Sequence, residues 1–163
     1  MEPHPYRQAF AGRDINGLVA LLAEDVVFHS PVITNPGFEG RASVAALHAI
    51  LFDAVTDIEY TRELGDGKVH FLVANGRVRG KPIKSTTMLE LNTDGKIREI
   101  WVMVRPLIGV VAIAEAIGSN LAERRKPGLG AAVRALSKPL AGLAAMTERG
   151  GSRLIAALNR SAS

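Results

Sequence analysis

The chain has 163 residues, 47% hydrophobic and 22% charged, which bounds it to a globular protein with one ordinary domain's worth of core. It contains no cysteine, so disulfides, a cysteine nucleophile and thiolate metal sites are excluded. The charge is lopsided: residues 1–105 carry 12 basic and 13 acidic side chains, whereas residues 106–163 carry 8 and 3, so the tail alone makes the chain basic.

The N-terminus, Met1-Glu2-Pro3-His4-Pro5, has neither a basic region nor an apolar stretch behind it, so no signal peptide is expected and the cytoplasm is the expected compartment. A first helix is predicted from Pro5 to about Phe10. Asp14 then caps a second helix whose Ile15, Leu18, Val19 and Leu22 follow the 3.6-residue period. Val26 to Ser30 reads as a short strand stopped by Pro31, and Asn35-Pro36-Gly37 leads to a third helix from about Arg41 to Ala54. That helix carries Val44, Leu47, Ile50 and Leu51 on one side. Strand signals follow: Ile58–Leu64, a turn at Gly65-Asp66-Gly67, Lys68–Arg79, a connection through Gly80-Lys81-Pro82, Ile83–Asn92, a hairpin turn at Thr93–Lys96, and Ile97–Arg105. Asn75-Gly76 is read as a bulge in a long bent strand rather than as a turn. Helices followed by an antiparallel meander make the fold class α+β.

Pro106 ends the sheet region. Leu107 to Leu121 is helical in pattern, and Lys126-Pro127-Gly128 is a break. Leu129, Val133, Leu136, Leu140 and Leu143 then alternate spacings of four and three, a seam for packing on another helix, with a kink or break expected at Pro139. Gly150-Gly151-Ser152 sets off a last amphipathic piece around Leu154, Ile155 and Leu158. The organisation is a body over residues 1–118 and an alanine-rich basic helical extension over 119–163. The extension must dock on the body, a partner protein or a membrane surface. It has no aromatic residue for base stacking, so nucleic acid is not expected.

Several segments carry a family resemblance: Phe10-Ala11-Gly12-Arg13-Asp14, Glu24-Asp25-Val26-Val27-Phe28-His29-Ser30-Pro31, Phe38-Glu39-Gly40-Arg41, Lys81-Pro82-Ile83, Asp94-Gly95-Lys96-Ile97 and Met103-Val104-Arg105-Pro106. In order and spacing they resemble the nuclear-transport-factor-2-like (NTF2-like) superfamily, in its SnoaL-like group that includes the steroid Δ-isomerases, over roughly residues 5–118. The resemblance implies a cone of N-terminal helices packed on a curved antiparallel sheet, here with added C-terminal helices. It implies no single reaction, because this scaffold hosts isomerases, hydrolases, cyclases and plain binding proteins.

A steroid isomerase needs a carboxylate base before the proline of the first strand, a tyrosine in the first helix and a protonated aspartate on a later strand. Aligned through Gly12-Arg13-Asp14, the base and tyrosine positions are Ser30 and Tyr6, and the aspartate position, counted back from Gly95, is Thr87, so only the tyrosine survives. A serine hydroxyl does not shuttle a proton near neutrality. The Asp-Arg-Asp arrangement of related epoxide hydrolases is missing too, since Asp57, Asp66 and Asp94 fall in turns. His29 is the candidate general base, if a bulge turns it inward against the strand's alternation. His4 reads as part of a loose terminus, His48 as a helix residue and His70 as a sheet-surface residue. No histidines share metal-ligand spacing, so neither metal nor cofactor is expected.

The pocket that the resemblance implies is lined by Phe28, Leu91, Ile100, Val102 and Val104, with Tyr6, Ser30 and Thr87 as hydroxyl donors. It suits a small, mostly apolar, oxygen-bearing ligand. By the same alignment Trp101 and Met103 fall on the sheet's other face, where an exposed apolar pair needs cover. That face commonly forms the dimer interface in the superfamily, so the resemblance implies a homodimer. The function expected is binding of that ligand. The alternative is a SnoaL-like enzyme acting on a polyketide- or steroid-like substrate, with His29 or a bound water as base.

Overall fold

The computed structural model describes residues 3–33 and 37–161. Helix α1 (Pro5–Ala11) has proline in its first turn and His4 as N-cap, whose ring nitrogen accepts from the Tyr6 amide. Helix α2 (Ile15–Leu21) is capped as expected: an Asp14 carboxylate oxygen accepts from the Gly17 amide at 2.9 Å. Strand β1 (Leu22–His29) begins four residues before the predicted Val26. It ends one residue short of Ser30.

A two-residue strand β2 (Phe38–Glu39), which has no signal in the sequence, pairs with β1 just before helix α3 (Arg41–Ala54). Asn35 and Pro36 of the predicted connection lie outside the described residues. Strands β3 (Val55–Gly65), β4 (Val69–Val78), β5 (Lys81–Leu91) and β6 (Ile97–Arg105) form the antiparallel meander. The six strands lie in the order β2-β1-β6-β5-β4-β3, and β1 joins β6 in parallel.

The sheet bends through its bulges. The predicted bulge at Asn75-Gly76 sits instead on the neighbouring strand, because β4 runs straight while β3 holds an extra residue in each of two places. Asp57, with φ of 54°, lies at the first of them. At the β5–β6 hairpin, Asn92 accepts from the amides of Asp94 and Lys96, and Gly95 takes a left-handed φ of 72° that favours glycine. The concave face closes over one core, with Leu18, Leu22, Val26, Val44, Leu47, Leu72, Leu89, Ile97 and Ile100 buried.

Helix α4 (Leu107–Arg125) joins the core through Ala112, Ile113, Ala116 and Ile117 and runs through residue 118 without interruption. Arg79, in the β4–β5 turn, ties it down by hydrogen bonds to Glu115 at 2.8 Å and Ser119 at 3.2 Å. Helix α5 (Leu129–Ser161) is a single helix through Pro139, not two short ones, and it runs through Gly150-Gly151-Ser152, which corrects the expected separation of a last piece. Near both places a hydroxyl bonds back to the preceding turn, Ser137 to the Val133 carbonyl and Ser152 to the Glu148 carbonyl.

Of the seam, Val133 packs beside Gly118 of α4, but Leu129, Leu136, Leu140 and Leu143 stay exposed. Gly130 sits so close to the Ser119 carbonyl that a Cβ there would approach it to 2.6 Å, and the approach turns small residues inward. Glu123 caps the start of α5 by accepting from the Gly128 and Gly130 amides. Among the described residues, no helix is long and apolar enough to cross a membrane. The side chains of Leu154 and Leu158 lie outside the described ones.

Candidate functional site

The cone encloses a cavity of about 50 Å³ between α1, α3, α4 and the concave face of the sheet. Its walls are aromatic and aliphatic, with Phe10, Phe28, Ile58, Ile83, Val102 and Val104 prominent. Four hydroxyls belong to the lining: Tyr6, Tyr60, Ser85 and Thr87. The strand pairing explains the set, because Ser85 lies opposite Val104 and Thr87 opposite Val102, all on the inward face. Among the described residues, neither a carboxylate nor an imidazole belongs to the lining.

Tyr6 is the least accessible of the four. Its hydroxyl lies 2.9 Å from Nε2 of His48, and Nδ1 of His48 lies 2.8 Å from the Val44 carbonyl. A carbonyl only accepts, so Nδ1 carries the proton, Nε2 accepts and the phenol donates to it. Tyr6 therefore offers the cavity an oxygen lone pair, not the donor expected from the sequence. Burial holds His48 neutral by lowering its pKa from the ordinary 6.5 to about 4, against the opposing pull of the Val44 carbonyl. Burial likewise pushes the Tyr6 phenol well up, with Tyr60 adding to the effect. Tyr60 is raised chiefly by burial as well, although the Arg7 guanidinium, 5.4 Å above its ring, opposes the shift.

Of the residues singled out from the sequence, Tyr6, Phe28, Thr87, Val102 and Val104 meet at the cavity. Ile100 is fully buried and Leu91 packs against the core, both outside the lining. Ser30 is also outside it. The strand has ended, and Ser30 Oγ turns to accept from the Val32 and Ile33 amides of the following loop. His29 is not a base in the pocket: no bulge turns it inward, and its ring stacks on Trp101 on the outer face, centroids 3.5 Å apart. Nε2 of His29 lies 3.2 Å from Glu99, which also accepts from the Trp101 indole at 2.9 Å. The indole hydrogen bond, ahead of the His29 contact, holds the Glu99 carboxyl below its usual range.

The sequence reading passed over Tyr60 and His48. Ile58 and Tyr60 alternate along β3, and His48 falls on the same helical stripe as Val44, Leu47 and Leu51, so both signals were present. His4 and His70 are buried rather than loose or superficial, with rings 4.7 Å apart. Glu63 gathers them, accepting from the His4 amide at 2.7 Å and from Arg7 at 3.3 Å. Among the described residues no group of three or more histidines, aspartates or glutamates is placed to hold a metal ion.

Comparison with known proteins places this geometry among relatives. The SnoaL-like domain profile matches residues 5–100. A steroid delta-isomerase from Pseudomonas aeruginosa is 32% identical, with a TM-score of 0.68, over 73% of this chain and 88% of that one. An uncharacterised protein with a cystatin-like fold from Silicibacter pomeroyi is 28% identical, with a TM-score of 0.68, over 71% of this chain and 82% of that one. A putative ketosteroid isomerase from Kribbella flavida is 25% identical, with a TM-score of 0.54, over 63% of this chain and 73% of that one. No curated protein matches the chain.

Proposed function

The chain belongs to the SnoaL-like domain family, and from that premise we propose that its cone binds a small, mostly apolar molecule carrying oxygen. The observation that carries this reading is the lining itself: apolar walls interrupted by the hydroxyls of Tyr60, Ser85 and Thr87 and by the lone pair of Tyr6. A ligand hydroxyl donates to Tyr6, and a carbonyl or ether oxygen accepts from Ser85 or Thr87. The lining supplies no proton acceptor with a pKa near neutrality, so the site favours holding over proton transfer.

Size narrows the ligand. A cavity of about 50 Å³ is far below the roughly 300 Å³ at which drug-sized sites begin. A ring-sized ligand therefore enters by moving a wall, and the seven-residue α1, which carries Tyr6 and Phe10, is the element expected to shift. The steroid delta-isomerase at 32% identity supports a second reading, an isomerase-like enzyme with bound water as base and Tyr6 polarised through His48. The outer face of the sheet, where Trp101 is 41% and Met103 53% exposed, is proposed as the seat of a second copy.

The binding reading is tested by NMR titration with cyclohexanol and cyclohexanone. Shifts confined to Tyr6, Thr87, Val102 and Val104, and abolished by Val102→Trp, support it. No shift at those residues at millimolar probe counts against it.

A further inference from the structure

Helix α5 presents its small residues to the body and its large ones outward. Gly130 and Ala144 are buried, with Val133, Ser137 and Ala141 half-buried beside them. Leu136, Leu140 and Leu143, at spacings of four and three, are 77%, 62% and 67% exposed, and Met146 and Ile155 are exposed as well. A helix docked only for the stability of its own fold turns its large apolar side chains inward. Here the reverse holds, so the stripe faces something outside the chain.

The charge identifies that partner. Along α5, Arg134, Lys138, Arg149, Arg153 and Arg160 stand against Glu148 alone. Where α5 crosses the β4–β5 turn, Lys81, Arg149 and Arg153 line one open cleft. Arg77, Lys84 and Arg105 line the next, which shares Pro82 and Glu148 with it. Of all these bases, only Arg77 makes an ion pair among the described residues, with Asp57 at 3.6 Å.

We propose that α5 lies in the plane of an anionic lipid surface, with its leucines in the acyl boundary and its bases on the headgroup phosphates. A second copy of α5 fits less well, because no charged side chain flanks the stripe to fix the register and direction of a helix pair. The positions flanking the stripe are Ala132, Pro139 and Met146 on one side and Gly130, Ser137 and Ala144 on the other. Nucleic acid has no use for the leucines, and the helix has no aromatic residue for base stacking.

The test is co-sedimentation of the full chain with vesicles of phosphatidylcholine, alone or mixed with phosphatidylglycerol. The mixed vesicles are expected to bind it at least ~10-fold more tightly, and added salt to weaken the binding. Leu136→Ser/Leu140→Ser/Leu143→Ser is expected to lose that binding with its circular dichroism unchanged, and Arg149→Gln/Arg153→Gln to weaken it. Failure of the wild-type chain to sediment with mixed vesicles overturns the proposal, as does undiminished binding by the leucine variant. If the wild type ignores vesicles while the leucine variant becomes a lighter species alone, the stripe seats a second copy and the lipid assignment falls.

Discussion

Tyr6 and His48 form one buried unit, and each leans on the other for its hydrogen bond. Tyr6→Phe leaves Nε2 of His48 a buried acceptor without a donor, which costs about 1–3 kcal/mol. A lowered urea midpoint at unchanged m-value checks this. The same unit sets a pH dependence. The folded protein binds a proton at His48 only near pH 4, whereas the unfolded chain binds it near 6.5, so stability falls as pH drops through that window. The loss amounts to about 3 kcal/mol by pH 4. His48→Gln keeps a neutral donor and acceptor, so its stability relative to wild type should improve progressively from pH 6.5 to 4; parallel curves would refute the assignment. Ser30 supplies a further prediction. Its hydroxyl belongs to the loop turn, so Ser30→Asp places no carboxylate in the cavity. Steroid double-bond isomerisation by that variant should stay at the wild-type level, and a gain of activity would mean the side chain reaches the cone.

At the scale of elements, α4 and α5 differ in how they are held. α4 contributes Ile113 and Ile117 to the core, whereas α5 is docked by close backbone approach around Gly130 and by the Glu123 cap. Gly130→Val drives a side chain into the Ser119 carbonyl and a carboxylate oxygen of Glu123, so α5 should lift from α4 while the cone persists. Limited proteolysis should then cut between residues 126 and 150 at a faster rate, with the thermal midpoint of the body unchanged. A body that melts earlier would show α5 to be part of its core. The elements best read from sequence were those whose stripe or alternation is buried on one side: α3 and β6 begin and end where predicted. β2 escaped because two residues carry no period, and the bulges escaped because an extra residue is a property of a strand pair.

For the whole molecule, the proposed dimer rests on the outer face of the sheet. Phe71, Met88 and Trp101 lie opposite one another across β4, β5 and β6, and Met103 lies two residues along. If a second copy covers this face, the chain sediments at twice 17.4 kDa. Trp101→Glu, which sets a second carboxylate beside Glu99, then yields the single mass without unfolding. Wild type already at the single mass refutes the dimer.

Composition and periodicity by themselves determined the α+β class, the order of the main elements and the basic imbalance of the tail, because each is a local pattern of polarity, whereas the cone and the inward face of Thr87, Val102 and Val104 were implied by the family resemblance. Only the tertiary structure decided that Ser30 and His29 lie outside the cavity, that the Tyr6 hydroxyl donates its hydrogen bond to His48 and that the leucines of α5 face outward. Each of those outcomes depends on which partner an atom meets across the fold. The strand's last residue, the tautomer set by the Val44 carbonyl and the close approach at Gly130 are long-range or backbone facts that no residue carries in its own side chain.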